Sequence, residues 1–447
     1  MKVASRWLIG LLLMTAGLVV AFGSGQKPEP AVSSSGNLSG TVKVQLIGFN
    51  NDDTTDPVSG NTVIGVHYLK EQFEKLYPNI SVQFILMGWD SYTEKTQAML
   101  QANEADVVQV PGIALLASQG LLEPLQPYID RDKFDLGVYI DNQVLGWKAL
   151  GPSDKELAVY GLPFIADTRF IVYDKLLFDQ WKVKYLSWAP TPDELKEKGA
   201  AMTGINPVTG KQNYGLWYKG ADYAADTVVN LAEYYGGRWG TGFRWSEMKT
   251  EFNSPEFIKA ANWLKDVQPY CPPGVSARQG NEKFLTVDND IAISLQEGPG
   301  ILKTIEALKL QGRIGISRLF INEKLGMGFL FAGSPAAIGA KSQVKDLAWQ
   351  WIKFTASDTF QRFFWDQYRS MPTVKSSLQW YTMGVIPQIK PVLQTLSTLW
   401  GPRYPYRAGQ PRYILGDAVQ RAIMGKQPVV DAMNQAQAET EAWLKAQ

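Results

Sequence analysis

The sequence predicts an α/β fold in which parallel sheets are covered by helices on both faces, and three observations predict it. The first is length: 447 residues exceed one ordinary domain of roughly 100 to 200 residues, so two or three domains are expected. The second is composition, with 45% hydrophobic and 19% charged residues, 40 Gly and 25 Pro. That balance is globular and excludes a largely disordered, collagen-like or polytopic membrane chain. The third is patterning: short alternating segments take turns with segments of helical period, which is the signature of βαβ units.

Taken in chain order, the first element is a leader. Lys2 and Arg6 precede an apolar run from Trp7 to Phe22 and the small residues Gly23, Ser24 and Gly25. This is the three-part pattern of a secretory signal peptide, with Ala21-Phe22-Gly23 as the cleavage site and an uncleaved anchor as the alternative. Residues 1–23 are therefore expected to be a signal peptide and 24–40, rich in Ser, Gly and Pro, a flexible linker. The cysteine that a bacterial lipoprotein carries after such a run is missing, so export should leave a soluble protein at the periplasmic or extracellular face.

Thr41 to Gly48 alternates with Val42, Val44 and Leu46 on one face and reads as a strand. A Gly/Asn/Asp-rich loop over 48–61 follows, then Val66, Leu69, Phe73 and Leu76 at helical spacing, closed by Pro78. Ile80, Val82, Phe84 and Leu86 alternate again, Ser91 to Ala102 reads as a helix, and Asp106 to Val110 as a short strand before a helix near Leu115. In parallel sheets ligands sit at the carboxyl ends of strands, so the loops at 48–61, 87–91 and 110–113 should share one edge. Further on come a strand at Phe170 to Tyr173, a helix started by Pro192, and a helix from Ser254 to Val267. The chain ends in two apolar helical stripes, one through Ile414, Leu415, Ala418, Ala422 and Ile423 and one through Val429, Met433, Ala436, Thr440 and Trp443, both read as packing faces.

Charge and rare residues remove whole classes of chemistry. Lys plus Arg at 44 against Asp plus Glu at 43 gives +1, and loss of Lys2 and Arg6 with the leader takes this to −1. No global field draws in a polyanion, so nucleic acid is not an expected partner. A lone cysteine, Cys271, excludes an intrachain disulfide and multi-cysteine metal sites, and a lone histidine, His67, removes most remaining metal and triad chemistry. The segment GINPVTGK at 204–211 resembles a phosphate loop but has one residue too many between its glycines and Gln212 where Ser or Thr would hold magnesium; it reads as a turn. The loop acids Asp52, Asp53 and Asp56 lack the spacing of a calcium site. Neither a catalytic residue nor a cofactor nor a metal is expected. What is abundant is aromatic side chain: 15 Trp, 19 Tyr and 19 Phe, most of them destined for the core and some available as flat faces for a ligand.

An ordered series of segments carries a family resemblance. FEKLYPNI is followed by a Trp-x-x-Tyr unit at Trp89 to Tyr92, then ADVVQVPG, GLLEPLQPYI and YGLPFIADTRFIVYDKLLF. TPDELKEKGAAMTG, GKQNYGL, YYGGRW, FNSPEFIKAANWL, AISLQEGPG, GFLFAGSPAAIGAKS and LAWQWIKFTAS complete it. In this order and spacing they resemble the extracellular solute-binding proteins of ABC importers, in the maltose-binding-protein-like group, over nearly the whole mature chain. The departure follows Thr191, where the usual Thr-Trp-Asp-Glu-Leu is Pro192-Asp193-Glu194-Leu195, and it touches a helix start alone.

The resemblance implies a two-lobed periplasmic-binding-protein fold of type II-like architecture. Each lobe is a mostly parallel sheet covered by helices, and three hinge crossovers join them near 164–167, 329–333 and 382–386. Lobe 1 would be 41–164 plus 333–382, and lobe 2 would be 167–329 plus 385–447. Gly328, Gly333 and Pro335 flank the second crossover and suit a hinge. The implied function is capture of a carbohydrate, an oligosaccharide or glycoside, by a monomer that delivers it to membrane permease subunits. A sugar offers apolar C–H faces and a rim of hydroxyls, so it asks for aromatic planes and for carboxylate, amide or guanidinium groups at the edge. Loop position and the resemblance together nominate Asp52, Asp53, Trp89, Asp90, Asp167, Arg169, Trp217, Tyr218, Trp239, Glu297, Gly298, Arg403, Tyr404, Tyr406 and Arg412. Two alternatives stay open. Arg169, Arg278 and Arg412, if convergent, would suit an anionic ligand such as a sugar phosphate or uronate, and two of the acids, if adjacent in space, would form a glycosidase pair.

Overall fold

The computed structural model describes residues 38–111, 113–141, 143–166, 168–221, 223–242, 247–278, 280–281, 283–322, 327–328, 333–380 and 410–446. The chain divides into two units, Met1–Ser35 and Gly36–Gln447, and all described residues belong to the second. The expected signal peptide, nearly all of the linker, all but Gly333 of the crossover expected at 329–333, and the whole of that expected at 382–386 lie outside the described residues.

The first strand, β1 (Gly40–Ile47), is followed by helix α1 (His67–Leu76), strand β2 (Ile80–Met87), helix α2 (Tyr92–Ala102) and strand β3 (Val107–Gln109). β1 pairs in parallel with β2 on one side, Ile47 opposite Met87, and with β3 on the other, Gln45 opposite Val108. The two βαβ units read from the sequence are thus present, and the loops that follow β1, β2 and β3 leave one edge of the sheet. Two further strands, β4 (Leu162–Ile165) and a late strand Ser334–Ile338, complete a five-stranded sheet in the order β2, β1, β3, Ser334–Ile338, β4. The late strand alone runs against its neighbours β3 and β4.

A ladder of buried amides fixes this register. Gln45 and Gln109 sit in the middle strands at 0% and 1% exposure, where water cannot satisfy them. The amide N–H of Gln109 donates to Gln45 Oε1 at 3.0 Å, the amide N–H of Ile47 donates to Gln109 Oε1 at 3.0 Å, and Gln109 Nε2 donates to Ser334 Oγ at 3.2 Å. A slip of one residue would orphan every one of these groups.

The second sheet is built from β5 (Phe170–Asp174), β6 (Gly204–Ile205), β7 (Gln212–Trp217), β8 (Ile291–Glu297) and β9 (Ile314–Arg318), in the order β6, β7, β8, β5, β9. β7 and β8 are parallel, while β5 runs against both β8 and β9 and the edge strand β6 runs against β7. Three of its five strands share one direction. The late strand of the first sheet is β10 (Ser334–Ile338). The chain leaves the first sheet after Ile165, joins the second at Phe170, and is back in the first at Ser334.

The helices start where the sequence caps them. α3 (Pro192–Ala201) has Pro at its first position and Thr191 as N-cap, whose side chain accepts from the Glu194 N–H, so the departure noted after Thr191 leaves a sound helix start. α4 (Tyr223–Tyr234) is buried continuously from Ala224 to Glu233. α5 (Pro255–Asp266) is capped by Ser254. α6 (Ile301–Ala307) links β8 to β9. α7 (Lys345–Thr355) and α8 (Asp358–Tyr368) follow β10 and cover the first sheet with Trp349, Trp351, Phe354, Phe360 and Phe364. α9 (Gln410–Ile423) and α10 (Val429–Lys445) pack on α4 and α5, so the chain ends beside the second sheet.

One expectation is corrected in detail and another holds. Leu76, placed on the apolar stripe of α1, is 45% exposed, and Tyr77 is buried instead because the helix ends at Leu76 and the chain turns there, the Tyr77 N–H bonding back to Phe73 O. The segment at 204–211 is a turn as read, closed by Asn206 Oδ1 accepting from the N–H groups of Val208 and Thr209 at 2.9 and 3.0 Å. Among the described residues no helix is long and apolar enough to cross a membrane.

Candidate functional site

The loops that leave the carboxyl ends of β1 and β2 carry the first group of nominated residues. Gly48 ends β1 at φ +81°, a conformation side chains rarely adopt. A Cβ there would lie 2.4 Å from Trp89 Nε1, so the bare backbone of Gly48 is the floor on which the indole rests. Tyr92 stands edge-on to the same indole, ring centroids 5.4 Å apart at 82°. Held between these two, Trp89 remains 49% exposed, unlike the tryptophans of the core. An indole fixed by its surroundings yet open to solvent is a preformed stacking surface.

The acids of the loop after β1 are held by donors of that loop and of α1. Asp52 is exposed and accepts from Asn51 Nδ2 at 2.8 Å. Asp53 accepts from the Gly65 N–H at 2.9 Å and lies 2.9 Å from His67 Nε2. The Gly65 hydrogen bond, and then His67, hold the Asp53 carboxyl below its ordinary range, while Asp53 raises His67. Asp56 accepts from the Ser59 N–H at 2.8 Å and reaches Lys303 Nζ of α6 at 3.1 Å. The Ser59 donor is the chief cause of its depression to about 2. Asp90 is exposed beside Trp89.

The second group lies at the ends of the second sheet. β8 bulges between Ser294 and Glu297, with Gln296 at φ +58°, and the bulge turns Glu297 so that Ser294 Oγ donates to its carboxylate. Gly298 follows, and a Cβ on it would lie 2.2 Å from Arg169 Nη1, so the guanidinium is laid against the Gly298 backbone. Arg412, in the first turn of α9, makes a two-pronged ion pair with Asp226 of α4, Nε to Oδ1 at 3.3 Å and Nη2 to Oδ2 at 3.1 Å. Its guanidinium carbon lies 5.3 Å from the Tyr223 ring centroid. Burial by itself would lower the Arg412 pKa, and Asp226 more than offsets this, so the group is raised and stays charged. A direct contact between the first group and an element of the second sheet is that of Asp56 with Lys303 of α6, at 3.1 Å.

Three nominated aromatics are placed in the core instead. Trp217 and Tyr218 are 1% and 0% exposed, with the Tyr218 hydroxyl accepting from Gln268 Nε2 at 2.8 Å, and Trp239 is 7% exposed with its ring edge-on to Phe252. They lie within the strand-and-helix packing of the second sheet, where an aromatic is worth its buried area. Asp167, Arg403, Tyr404 and Tyr406 lie outside the described residues. Asp226, Tyr223 and Lys303 were not nominated. The available signal was Asp226 with Asn230 four residues on, two polar positions on one face of an otherwise apolar helix.

The model of the family "bacterial extracellular solute-binding protein" matches residues 59–362, and the chain belongs to that family. Relatives from Brucella abortus (strain 2308) and Brucella suis biovar 1 (strain 1330), described as binding proteins, are 28% identical over 218 residues, 47% of this chain and 48% of theirs. The chain thus spans about half the length of these curated relatives. The fold is shared with the sugar-binding protein MalE of Xanthomonas citri at TM-score 0.73 and 19% identity, covering 91% of this chain and 98% of that one. It is shared with a solute-binding protein of Agrobacterium vitis S4 solved with D-mannitol, at TM-score 0.63 and 20% identity over 91% and 98%. UgpB of Mycobacterium tuberculosis, solved with glycerophosphocholine, matches at TM-score 0.68 and 18% identity over 91% and 99%.

Proposed function

We propose that this chain is the substrate-binding subunit of an ABC importer, capturing a neutral carbohydrate between two lobes and passing it to a membrane permease outside the cytoplasmic membrane. The lobes are 41–164 with 333–382 and 167–329 with 385–447; the leader directs export, and the protein acts as a monomer without catalysis. The observation that carries the reading is the exposed indole of Trp89, fixed by Gly48 and Tyr92 at the carboxyl ends of β1 and β2. That indole offers a flat face for the C–H surfaces of a neutral sugar or polyol. Asp52, Asp53, Asp90, Arg169, Glu297 and Gly298 supply further edge groups at the same strand ends. Related folds with D-mannitol and with maltose support the ligand class, and closure on the ligand would mark the form that a permease recognises.

The test is mass spectrometry of small molecules that copurify with the protein, followed by calorimetric titration of what is found and of a panel of sugars and polyols. Tight binding with the ligand recovered intact is expected. Trp89→Ala should weaken it by about 10- to 100-fold, the worth of a stacked aromatic with its buried area. Recovery of a cleaved product, or no heat with any carbohydrate, would overturn the reading.

A further inference from the structure

Lys303 reaches from the second sheet's side of the molecule to the first. It stands on α6, which opens just past the carboxyl end of β8, and its ammonium lies 3.1 Å from Asp56 Oδ2 and donates to the Gln367 carbonyl at 3.1 Å. Both partners belong to the first sheet's side. Asp56 sits in the loop that leaves the carboxyl end of β1, its Oδ1 accepting from the N–H groups of Val58 and Ser59, and Gln367 is in the last turn of α8. Loop and helix are themselves joined: the Ile64 N–H donates to Gln367 Oε1 at 2.9 Å, and the Tyr368 hydroxyl donates to the Ile64 carbonyl at 3.4 Å. Lys303 of one side thus enters a seat already assembled on the other.

The seat suits a cation for two separate reasons. The Ser59 N–H above all holds the Asp56 carboxyl at about 2, so it is ionised at neutral pH. The last carbonyls of a helix have no partner within it and form its negative end. Arg369 answers those of Trp365 and Asp366, and Lys303 answers that of Gln367. The Lys303 and Asp56 side chains are 25% and 15% exposed, so water can solvate both groups when they part. Contacts that bias an equilibrium yet separate at modest cost suit a joint better than a core.

We infer that Lys303 is a positioning residue for ligand capture: seated between Asp56 and Gln367, it holds the carboxyl edges of the two sheets together and raises ligand affinity without touching the ligand. The inference rests on the two-lobed binding reading above and adds to it the residue that sets how readily the lobes close. The loops after β1 and β2 carry Trp89 on one edge, and the end of β8 carries Glu297 on the other, so the seat is filled only while the two candidate edges are together. A ligand bridging those edges binds that arrangement, and its apparent affinity falls with the fraction of protein that holds it. Loss of one part-exposed ion pair together with one charged hydrogen bond changes the odds of that arrangement by about 5- to 30-fold.

The experiment uses the exported chain, without its leader. Small-angle X-ray scattering of the unliganded protein reads the separation of the two sheets, and titration calorimetry with D-mannitol and with maltose reads affinity. Lys303→Met keeps the side chain's length and removes its charge. It should enlarge the unliganded radius of gyration and weaken whichever probe binds by about 5- to 30-fold, with the ligand-saturated radius as in the parent. Lys303→Arg, which keeps the cation, should restore both readings. Asp56→Asn, whose Oδ1 can still accept from Ser59, should follow Lys303→Met, and it decides the matter if Lys303→Met fails to fold. Parental radii and affinities in both charge-removing variants, tighter binding in either, or an equal loss in Lys303→Arg would overturn the inference and leave the binding-protein reading standing. If neither probe binds the parent, the carbohydrate reading fails separately, and the unliganded radius alone decides the role of Lys303: a radius unchanged by Lys303→Met refutes it.

Discussion

Glu306 of α6 and Arg369 at the end of α8 offer a measurable link between the two sheets. α6 lies between β8 and β9 of the second sheet, and α8 covers the first. Arg369 sends Nε and Nη2 to Glu306 Oε2 at 2.9 and 2.6 Å. The two side chains are 17% and 16% exposed, which puts the pair between a surface ion pair, worth about 0 to 1 kcal/mol, and a fully buried one, about 3 to 5 kcal/mol when broken. A coupling of about 1 to 3 kcal/mol is therefore expected. Single substitutions mislead here, because Arg369 Nη1 also donates to the carbonyls of Trp365 and Asp366 at 2.7 and 2.9 Å, and Arg369 ends the helix at φ 55°. Arg369→Gln should thus cost more than Glu306→Gln, and a double-mutant cycle subtracts the difference. The assay is urea unfolding of parent, both single variants and the double, followed by tryptophan fluorescence and far-ultraviolet circular dichroism. Additivity to within about 0.5 kcal/mol would show that the pair does not tie α6 to α8, and would refute the reasoning.

Three further outcomes are expected. Gly48→Ala puts a methyl group against Trp89 Nε1 and forces an alanine to positive φ, so it should displace the indole and weaken ligand binding about tenfold for about 1 kcal/mol of stability, read by calorimetry and thermal unfolding. Asp132 is pushed up by burial but pulled down more strongly by Arg131, Lys353 and the Trp349 N–H, to about 2. Its contribution, about 2 kcal/mol, is whole above the unfolded carboxylate's pKa and is lost as pH falls from about 4 through 2, so Asp132→Asn should flatten that part of the stability profile. Trp351, at 0% exposure with Phe73, Phe84, Phe354 and Phe360 about it, should cost about 3 to 5 kcal/mol on truncation to Ala, measured by denaturant midpoint.

Local order in the sequence made the first 110 residues legible. A strand buried on one face repeats every second residue, one buried on both is a short apolar run, and a helix repeats roughly every third and fourth, so β1, α1, β2, α2 and β3 can be located before any contact is known. Their order then implies which loops share an edge, since consecutive parallel strands must exit at the same end. The reversed strands β5 and β10 were not legible from pattern, because an antiparallel strand and a parallel one look alike in periodicity; each follows a passage of the chain between sheets. The aromatics divided for the same reason. Trp217 and Tyr218 close the apolar strand β7, and their burial is a property of the second sheet as a whole.

Electrostatic partners lie further from sequence reasoning still. Asp226 and Arg412 are 186 residues apart, and Glu306 and Arg369 are 63 apart, so nothing near either residue announces the other. What sequence does carry is the cost of a solitary charge: a carboxylate in the mostly apolar helix α4 (Tyr223–Tyr234) must find a cation or a dense set of donors, since burying it alone is prohibitive. Asp226 thus demanded a partner before one was visible, and the same demand would have drawn Arg412 inward from among the surface arginines. The general step is to ask of every charged residue inside a buried helix what neutralises it. In this fold the answer for Asp226 comes from the first turn of α9, where Arg412 engages both carboxylate oxygens, so a helix near the chain's end is tied to α4 by the charge that α4 buries.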